Sequence, residues 1–456
     1  MSTASSLPDT TALAAAVAGP VLVPGDPGFA EEVTGYNLAA VTAPAVVVGA
    51  TSADDVAEAV RWAVVNDRKV AVQATGHGLY ADLGDTVLIS TRRMDTVNVD
   101  PDARTARVGA GARWRAVIDA AAPHGLAPLN GSSSTVGVVG YTTGGGLGPL
   151  SRRFGFAADH VRRLEIVTAD GQVREVDPER NADLFWAVRG GKGNLGIVTE
   201  MEFDLMPVAR FYGGGIFLPA AAAREVLHAW RTWAPTLPDD ASTSVALLQL
   251  PPDPALPEPL RGRYAVHVRF THLGTAAEGE VLLAPMRAVA EPLLDAVGEM
   301  PYAAIDAVHM DPPQPLPFAD RGATLASLPA EAVDALLGVS GPEAGSPLAI
   351  VELRLLGGAI ARAPQVPNAV VGRDAAFSLV AIGVLAGPSA GGVPGALKGL
   401  AAAVEPWTSG ALVNFPADGD PWNGPDRERL EEIVVRHDPA GTFATNLALA
   451  RRSPAR

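Results

Sequence analysis

The chain has 456 residues, 48% of them hydrophobic and 19% charged, which is the balance of a globular protein with material for two or three compact units. A formal net charge of −15 disfavours contact with phosphate backbones and anionic lipid heads, so neither nucleic acid nor a membrane surface is expected as a partner. The absence of cysteine removes disulfides, thiolate metal sites and cysteine nucleophiles, and the 8 histidines lack H-x-x-x-H or H-E-x-x-H spacing, so no metal is expected.

In chain order, the apolar stretch Leu13 to Val23 lacks a basic flank and is interrupted by Gly19 and Pro20. It reads as neither a signal peptide nor a membrane span, and a cytoplasmic location is expected. Val46 to Val48 is a buried-strand candidate, and Ser52-Ala-Asp-Asp55 opens a helix as a capping box, with the Asp55 side chain returning to the cap amide and the helix ending near Asn66. Val70 to Thr75 and Val87 to Ser90 read as strands. The first of these runs into Gly76-His77-Gly78, where flanking glycines clear space around one imidazole. A lone histidine is more often an ordinary hydrogen-bonded residue than a functional one, so this turn carries weight only in company.

The company is Gly131 to Gly148, with seven glycines in eighteen residues. Without Cβ atoms, such a loop brings backbone amides close to a pyrophosphate or a flat ring. It is not a Rossmann fingerprint, because no G-x-G-x-x-G turn joins an early strand to a helix with an acidic residue further on. Leu164 to Val176 folds back at Asp170-Gly171 as a hairpin, and Trp186 to Glu200 is a third glycine-rich turn entering a strand. Three such turns in one α+β half suit an extended ligand of the length of FAD.

From about residue 209 the pattern changes to long alternating segments, Tyr264 to Phe270 and Ala349 to Leu355, between Ala-rich helices. Alternation predicts an antiparallel sheet, whose cleft-facing residues cannot be told from its helix-facing ones by pattern. The proline-rich stretches Pro251 to Pro259 and Pro312 to Pro317 are expected as surface loops.

The order of the motifs resembles one family across essentially the whole chain. A G-H turn follows an early strand, then come a glycine loop ending in T-G-G-G, a G-G-x-G-N-x-G-I-V-T turn, V-E-L-R-x-x-G-G at 351 to 358, Asn414-Phe415, and D-P-x-x-x-F-x-x-N at 438 to 446. This series resembles the FAD-linked oxidases with a PCMH-type FAD-binding domain, the berberine-bridge-enzyme-like group of the vanillyl-alcohol-oxidase superfamily. The resemblance implies an α+β fold in which a two-lobed PCMH-type FAD-binding domain (1 to 208, core about 41 to 208) is joined to a substrate domain (209 to 400), an antiparallel sheet covered by helices. A C-terminal segment (401 to 456) is expected to return to the FAD domain.

It further implies FAD bound covalently through His77 alone, since Ser133 stands where many members carry a second linking cysteine. The matching cofactor contacts are Thr75, Gly76, Gly78, Ser133, Thr135, Val136, Gly137, Gly140, Thr143, Gly144, Gly146, Leu147, Gly196, Ile197, Val198 and Asn414. Val136 matches the position that gates oxygen access. Glu352 is the candidate base, Arg354 shares its face, and Tyr141 is a candidate hydrogen-bond donor that could equally pack beside the flavin. For Glu352 and Arg354 the residues alone also allow a surface ion pair serving solubility. Phe415 replaces the tyrosine of carbohydrate-oxidising members and cannot exchange a proton. The implied activity is therefore oxidation of a secondary-metabolite substrate, polyketide-like or related, with molecular oxygen as acceptor. A tailoring monooxygenase and a flavin-templated cyclase are the alternatives, and the oligomeric state is left open.

Overall fold

The computed structural model describes residues 9–39, 43–78, 83–415, 420–444 and 449; Asn446, at the end of the tail motif, lies outside them. Three sheets organise the chain. In the first, Val46–Gly49 and Lys69–Gln73 each pair in parallel with Thr86–Ser90, and Val21–Leu22 closes one edge antiparallel. A parallel sheet buried on both faces selects continuous apolar runs, and all four residues of Val46–Gly49 are buried.

Helix Ala53–Val65 packs on this sheet through Val56, Ala59, Val60 and Ala63. Ser52 Oγ accepts from the Asp55 amide at 3.2 Å, but the reciprocal half of the expected capping box is not formed. The Asp55 carboxylate accepts instead from the Thr51 amide at 2.8 Å and the Ala18 amide at 2.7 Å. Aspartate is one methylene shorter than the glutamate that usually closes such a box, and here its carboxylate ties down the segment before the sheet. That segment is the apolar stretch read above. It forms helix Thr11–Ala16, with Leu13 buried, and the edge strand Val21–Leu22.

The second sheet is antiparallel, in the order Val97–Asp100, Thr105–Gly109, Ile197–Asp204, Val161–Val167, Val173–Val176. Its last hairpin turns at Gly171, whose φ of +69° is cheap only without a Cβ. Residues 442 to 444 lie beside the first sheet, with the Val70 amide donating to Thr442 and the Ala444 amide to Val70, both at 2.8 Å.

The third sheet has nine strands, with Arg210–Pro219, Tyr264–His272, Ala241–Gln249, Ile350–Leu355, Phe377–Val384 and Phe318–Leu325 adjacent in that order and antiparallel. One face is apolar: Val245, Leu247, Val266, Val268, Phe270, Val351, Leu353 and Leu379 pack under helices Ala223–Trp233, Ala330–Ser340 and Val393–Val404. The alternate residues form the other face, and the register lines them up in rows. Gly215, Arg269, Ser244, Arg354 and Ser378 make one row, and Phe217, His267, Ala246, Glu352 and Val380 make the next. This polar face is buried rather than washed by solvent, since every residue of Tyr264–His272 after the first is buried.

Candidate active site

The turn after Lys69–Gln73 presents His77. Its ring stacks on Tyr36 with centroids 4.1 Å apart and planes 8° from parallel. Nδ1 lies 2.9 Å from Thr75 Oγ1, and Nε2 lies 3.4 Å from Thr135 Oγ1, which is itself 2.8 Å from Ser133 Oγ. The turn is locked from behind: a Cβ on Gly76, at φ +68°, would stand 2.3 Å from Gly35 Cα. Tyr36 and Asn37 donate their amides to the Thr75 and Gly76 carbonyls at 2.9 and 3.0 Å. Burial, with a smaller contribution from the Arg113 charge, lowers the His77 pKa to about 4. The imidazole is therefore neutral near pH 7, with one ring nitrogen unprotonated.

The glycine loop closes over this turn. Gly137 packs on Thr75, its notional Cβ 3.4 Å from Thr75 Cγ2, and leads into the short helix Val138–Thr143. Gly140 is the exposed residue of that helix, and nothing stands within 4 Å of where its Cβ would be. Gly144 abuts Asn414, whose Nδ2 donates to the Tyr141 carbonyl at 2.7 Å and whose Oδ1 accepts from Lys192 Nζ at 3.2 Å. Lys192 is only partly buried as a residue, but its ammonium lies deep enough that desolvation lowers its pKa to about 8. Asp320, close enough to act on it, is raised to about 6 by burial.

On the polar face of the third sheet, Glu352 is held by two guanidiniums. Arg354 Nη2 donates to Oε2 at 2.7 Å, and Arg269 Nη1 lies 2.6 Å from Oε1, close in charge although not aligned as a hydrogen bond. His309 Nε2 stands 3.5 Å from the same Oε1. Burial alone would raise the Glu352 carboxyl, but Arg354 and Arg269 together hold it well below the usual carboxylate range. Phe415 covers Arg354, with the guanidinium carbon 5.4 Å from the ring centroid. A solubility pair at the surface is excluded, because only 3% of Glu352 is exposed.

Comparison with known proteins agrees with this arrangement. The family model of an FAD binding domain matches residues 44–177. Residues 44–177 are thus similar to an FAD binding domain. It is 31% identical to (R)-6-hydroxynicotine oxidase of Paenarthrobacter nicotinovorans over 51% of this chain and 48% of that protein. It is 30% identical to an uncharacterized FAD-linked oxidoreductase of Bacillus subtilis over 66% and 65%. Across the first of these curated relatives the chain spans between two fifths and two thirds of their length. The crystal structure of 6-hydroxy-D-nicotine oxidase from Arthrobacter nicotinovorans superposes with a TM-score of 0.80 at 25% identity, covering 94% of this chain and 96% of that one. The berberine-bridge-enzyme-like 1 protein of Physcomitrella patens gives 0.83 at 20% identity over 97% and 98%.

The residues fit the flavin of a PCMH-type domain. Gly140 leaves open space on the glycine loop, Thr75, Ser133 and Thr135 supply hydrogen-bonding side chains around the neutral imidazole, and Asn414 does so at Gly144. These, with Gly76, Gly78, Val136, Gly137 and Gly144, are the expected contacts that the fold gathers near His77 and Asn414. The other expected contacts have neighbours within the protein. Thr143 Oγ1 donates to the Val139 carbonyl within its own helix, Gly146 lies against Tyr141 and Ala157, and Leu147 is in a small apolar cluster with Phe156 and Leu356. Gly196, Ile197 and Val198 sit in the sheet interior against Val167 and Ile166. Tyr141, expected as a donor, is wedged between Gly131, Gly146 and Gly148 and meets the Trp114 ring edge-on at 5.5 Å. Burial pushes its hydroxyl well above the ordinary phenol range, so it stays protonated near neutrality, and it has no hydrogen-bond partner among the described residues.

Four residues of the site were not picked out from sequence: Arg269, His309, Lys192 and Asp320. Two carried a local signal. His267 and Arg269 place polar groups on alternate positions of a strand that is otherwise Val, Val and Phe, and Lys192 is a long cation inside a glycine run, with φ of +54°.

Proposed function

We propose that the protein is an FAD-dependent oxidase, holding its cofactor by a single covalent bond from His77 and using molecular oxygen as electron acceptor. The observation that carries this reading is the neutral, stacked imidazole at the mouth of the glycine loop. Bound FAD supplies hydride acceptance from a substrate carbon and electron transfer to oxygen. Protein groups supply attachment, orientation and the proton path.

Thr75 and Thr135 fix the plane of His77 from its two ring nitrogens, and Tyr36 holds it from one face. The partly buried Val136, one residue beyond Thr135, is proposed to set the gap through which oxygen enters. For the substrate proton, Glu352 is proposed to act with His309. A carboxylate shared by two guanidiniums is a weak base, whereas His309, lowered by burial and by Arg269, is neutral and has Nδ1 without a protein partner among the described residues. The proton goes to His309, and Glu352 orients the ring through Nε2 and stabilises the resulting cation. Phe415 offers no hydroxyl, which favours a secondary-metabolite substrate over a simple sugar.

Retention of yellow colour in acid-precipitated protein, with a flavin-sized increment in the intact mass, tests the attachment; a colourless pellet overturns it. A monooxygenase is the second reading, favoured by the 32% identity to an FAD-dependent monooxygenase of Penicillium roqueforti over 46% of this chain and 42% of that protein. One equivalent of hydrogen peroxide per turnover supports the oxidase, and labelled oxygen in the product supports the monooxygenase.

A further inference from the structure

Between the end of the glycine loop and the polar face of the third sheet lies a cavity of about 40 Å³, lined among others by Leu147, Ser244, Arg269, His309 and Arg354. At about 10–15 Å³ per water, it has room for two or three waters or for one carboxylate group. Its polar lining is one-sided. It includes arginines, serines, threonines and a histidine but no carboxylate, because Glu352 and Asp311, which both act on Arg354, are not part of the wall. Two of these donors have no partner among the described residues, namely Arg354 Nε and Ser244 Oγ, and neither has Ser378 Oγ in the same row. Ser244 is 4% exposed, so bulk water does not satisfy it. Buried donors left unpaired are costly, so a site that keeps several together suits a guest that accepts from them.

We propose that this cavity is a subsite for an anionic oxygen group, a carboxylate or an ionised phenol or enol, carried by the substrate. Resting on the oxidase reading above, it narrows the substrate class to acidic molecules. Arg354 and Arg269 both line the cavity with Glu352 between them, and Arg354 Nε is the donor left without a partner. Ser244 lies opposite both arginines in the register, between the two strands that carry them, and its hydroxyl completes the set. A neutral guest of the same shape would accept fewer of these bonds and none with charge assistance.

The test uses benzoate as the anionic probe and benzamide as its neutral isostere, each titrated into the purified holoprotein. Binding is read from the flavin difference spectrum and, independently, from the thermal shift. Benzoate is expected to bind at least about tenfold more tightly than benzamide, a difference of about 1.4 kcal/mol. Arg354→Met should abolish the preference, and Ser244→Ala, which removes no charge and is expected to fold, should weaken benzoate alone, about threefold. Equal affinity for the two probes, binding of neither, or an unchanged preference in Ser244→Ala and in any folded Arg354→Met overturns the proposal. A protein that purifies without flavin yet shows the benzoate preference by thermal shift overturns the oxidase reading instead. A yellow protein without the preference overturns only the subsite.

Discussion

Two sets of buried ionisable groups differ in whether burial comes with an opposite charge in contact. In the Arg269–Glu352–Arg354 cluster each charge has an opposite charge in contact, and the carboxyl is driven far below neutrality. His77, Lys192 and Asp320 form no ion pair among the described residues, and burial has moved them to about 4, about 8 and about 6. Burial with a partner thus yields a fixed field that does not change across the neutral range. Burial without one leaves His77 neutral and brings the pKa of Lys192 and Asp320 toward the neutral range, where they can exchange protons. The first set is suited to holding and orienting, the second to chemistry.

The sharpest break of this contrast is at His77. Under the attachment proposed above, His77→Ala removes the linking imidazole and should give protein with no covalent flavin at all by intact mass, whereas a fixed-field residue would change occupancy by degrees. Glu352→Gln comes next. It leaves two guanidiniums facing one neutral amide, and loss of one partner of a buried pair typically costs about 3–5 kcal/mol. Denaturant melts should show that loss, and Glu352→Gln with Arg269→Met should recover most of it by restoring the charge count. If the double variant is as stable as wild type but still fails to transfer the substrate proton, the electrostatic and catalytic roles of Glu352 are separated.

The unpaired groups should betray themselves in stability against pH. Asp320 keeps its proton in the folded chain up to about 6 but releases it near 3.8 when unfolded. The folded state then holds more protons between those values, so this residue makes stability fall as pH rises through that window, by roughly 1 kcal/mol per unit. Lys192 acts in the opposite direction between about 8 and 10.5, where the unfolded chain holds the proton and stability rises with pH. Asp320→Asn and Lys192→Met should flatten their own windows and leave the other's intact. If neither variant changes its window, the two groups are already neutralised by each other and the contrast fails. Val136→Leu is expected to do less: reoxidation of dithionite-reduced enzyme by oxygen should slow about tenfold, about 1.4 kcal/mol of barrier, with reduction little changed.

Much of the scaffold was legible because it rests on local rules. Val46–Gly49 and Thr86–Ser90 are apolar runs that only a doubly covered sheet explains, and Asp170-Gly171 is a hairpin turn on sight. The faces of the third sheet were not legible. Val266, Val268 and Phe270 alternate with His267, Arg269 and Thr271, and with both sets buried the pattern shows two faces without saying which one meets the glycine loop. The ion cluster depends on register between Tyr264–His272, Ala241–Gln249 and Ile350–Leu355, strands separated by long connections, so Arg269 could not be joined to Glu352 from sequence. The surroundings of Tyr141 were likewise hidden: a tyrosine among glycines can point out toward a ligand or fill the space they leave, and only the three-dimensional closeness of Gly131, Gly146 and Gly148 shows how tightly its ring is enclosed.

The smallest effect expected is at Ser133, and it tests whether a residue beside the reactive turn matters merely through proximity. Its hydroxyl lies 2.8 Å from Thr135 Oγ1, which in turn stands 3.4 Å from His77 Nε2, so Ser133 touches the imidazole only through one intermediary. It carries no charge to offset burial. Ser133→Ala deletes one neutral hydrogen bond of a partly buried pair, worth about 0.5–1.5 kcal/mol, and Thr135 Oγ1 keeps its contact with His77. Covalent attachment should therefore remain complete by intact mass, with the thermal midpoint lowered by no more than a few degrees. A loss of attachment as deep as that of His77→Ala would show that the neutral imidazole is held through the Ser133–Thr135 chain rather than by Thr75 and Tyr36. The division between groups that do the chemistry and groups that hold them would then have to be redrawn at this turn.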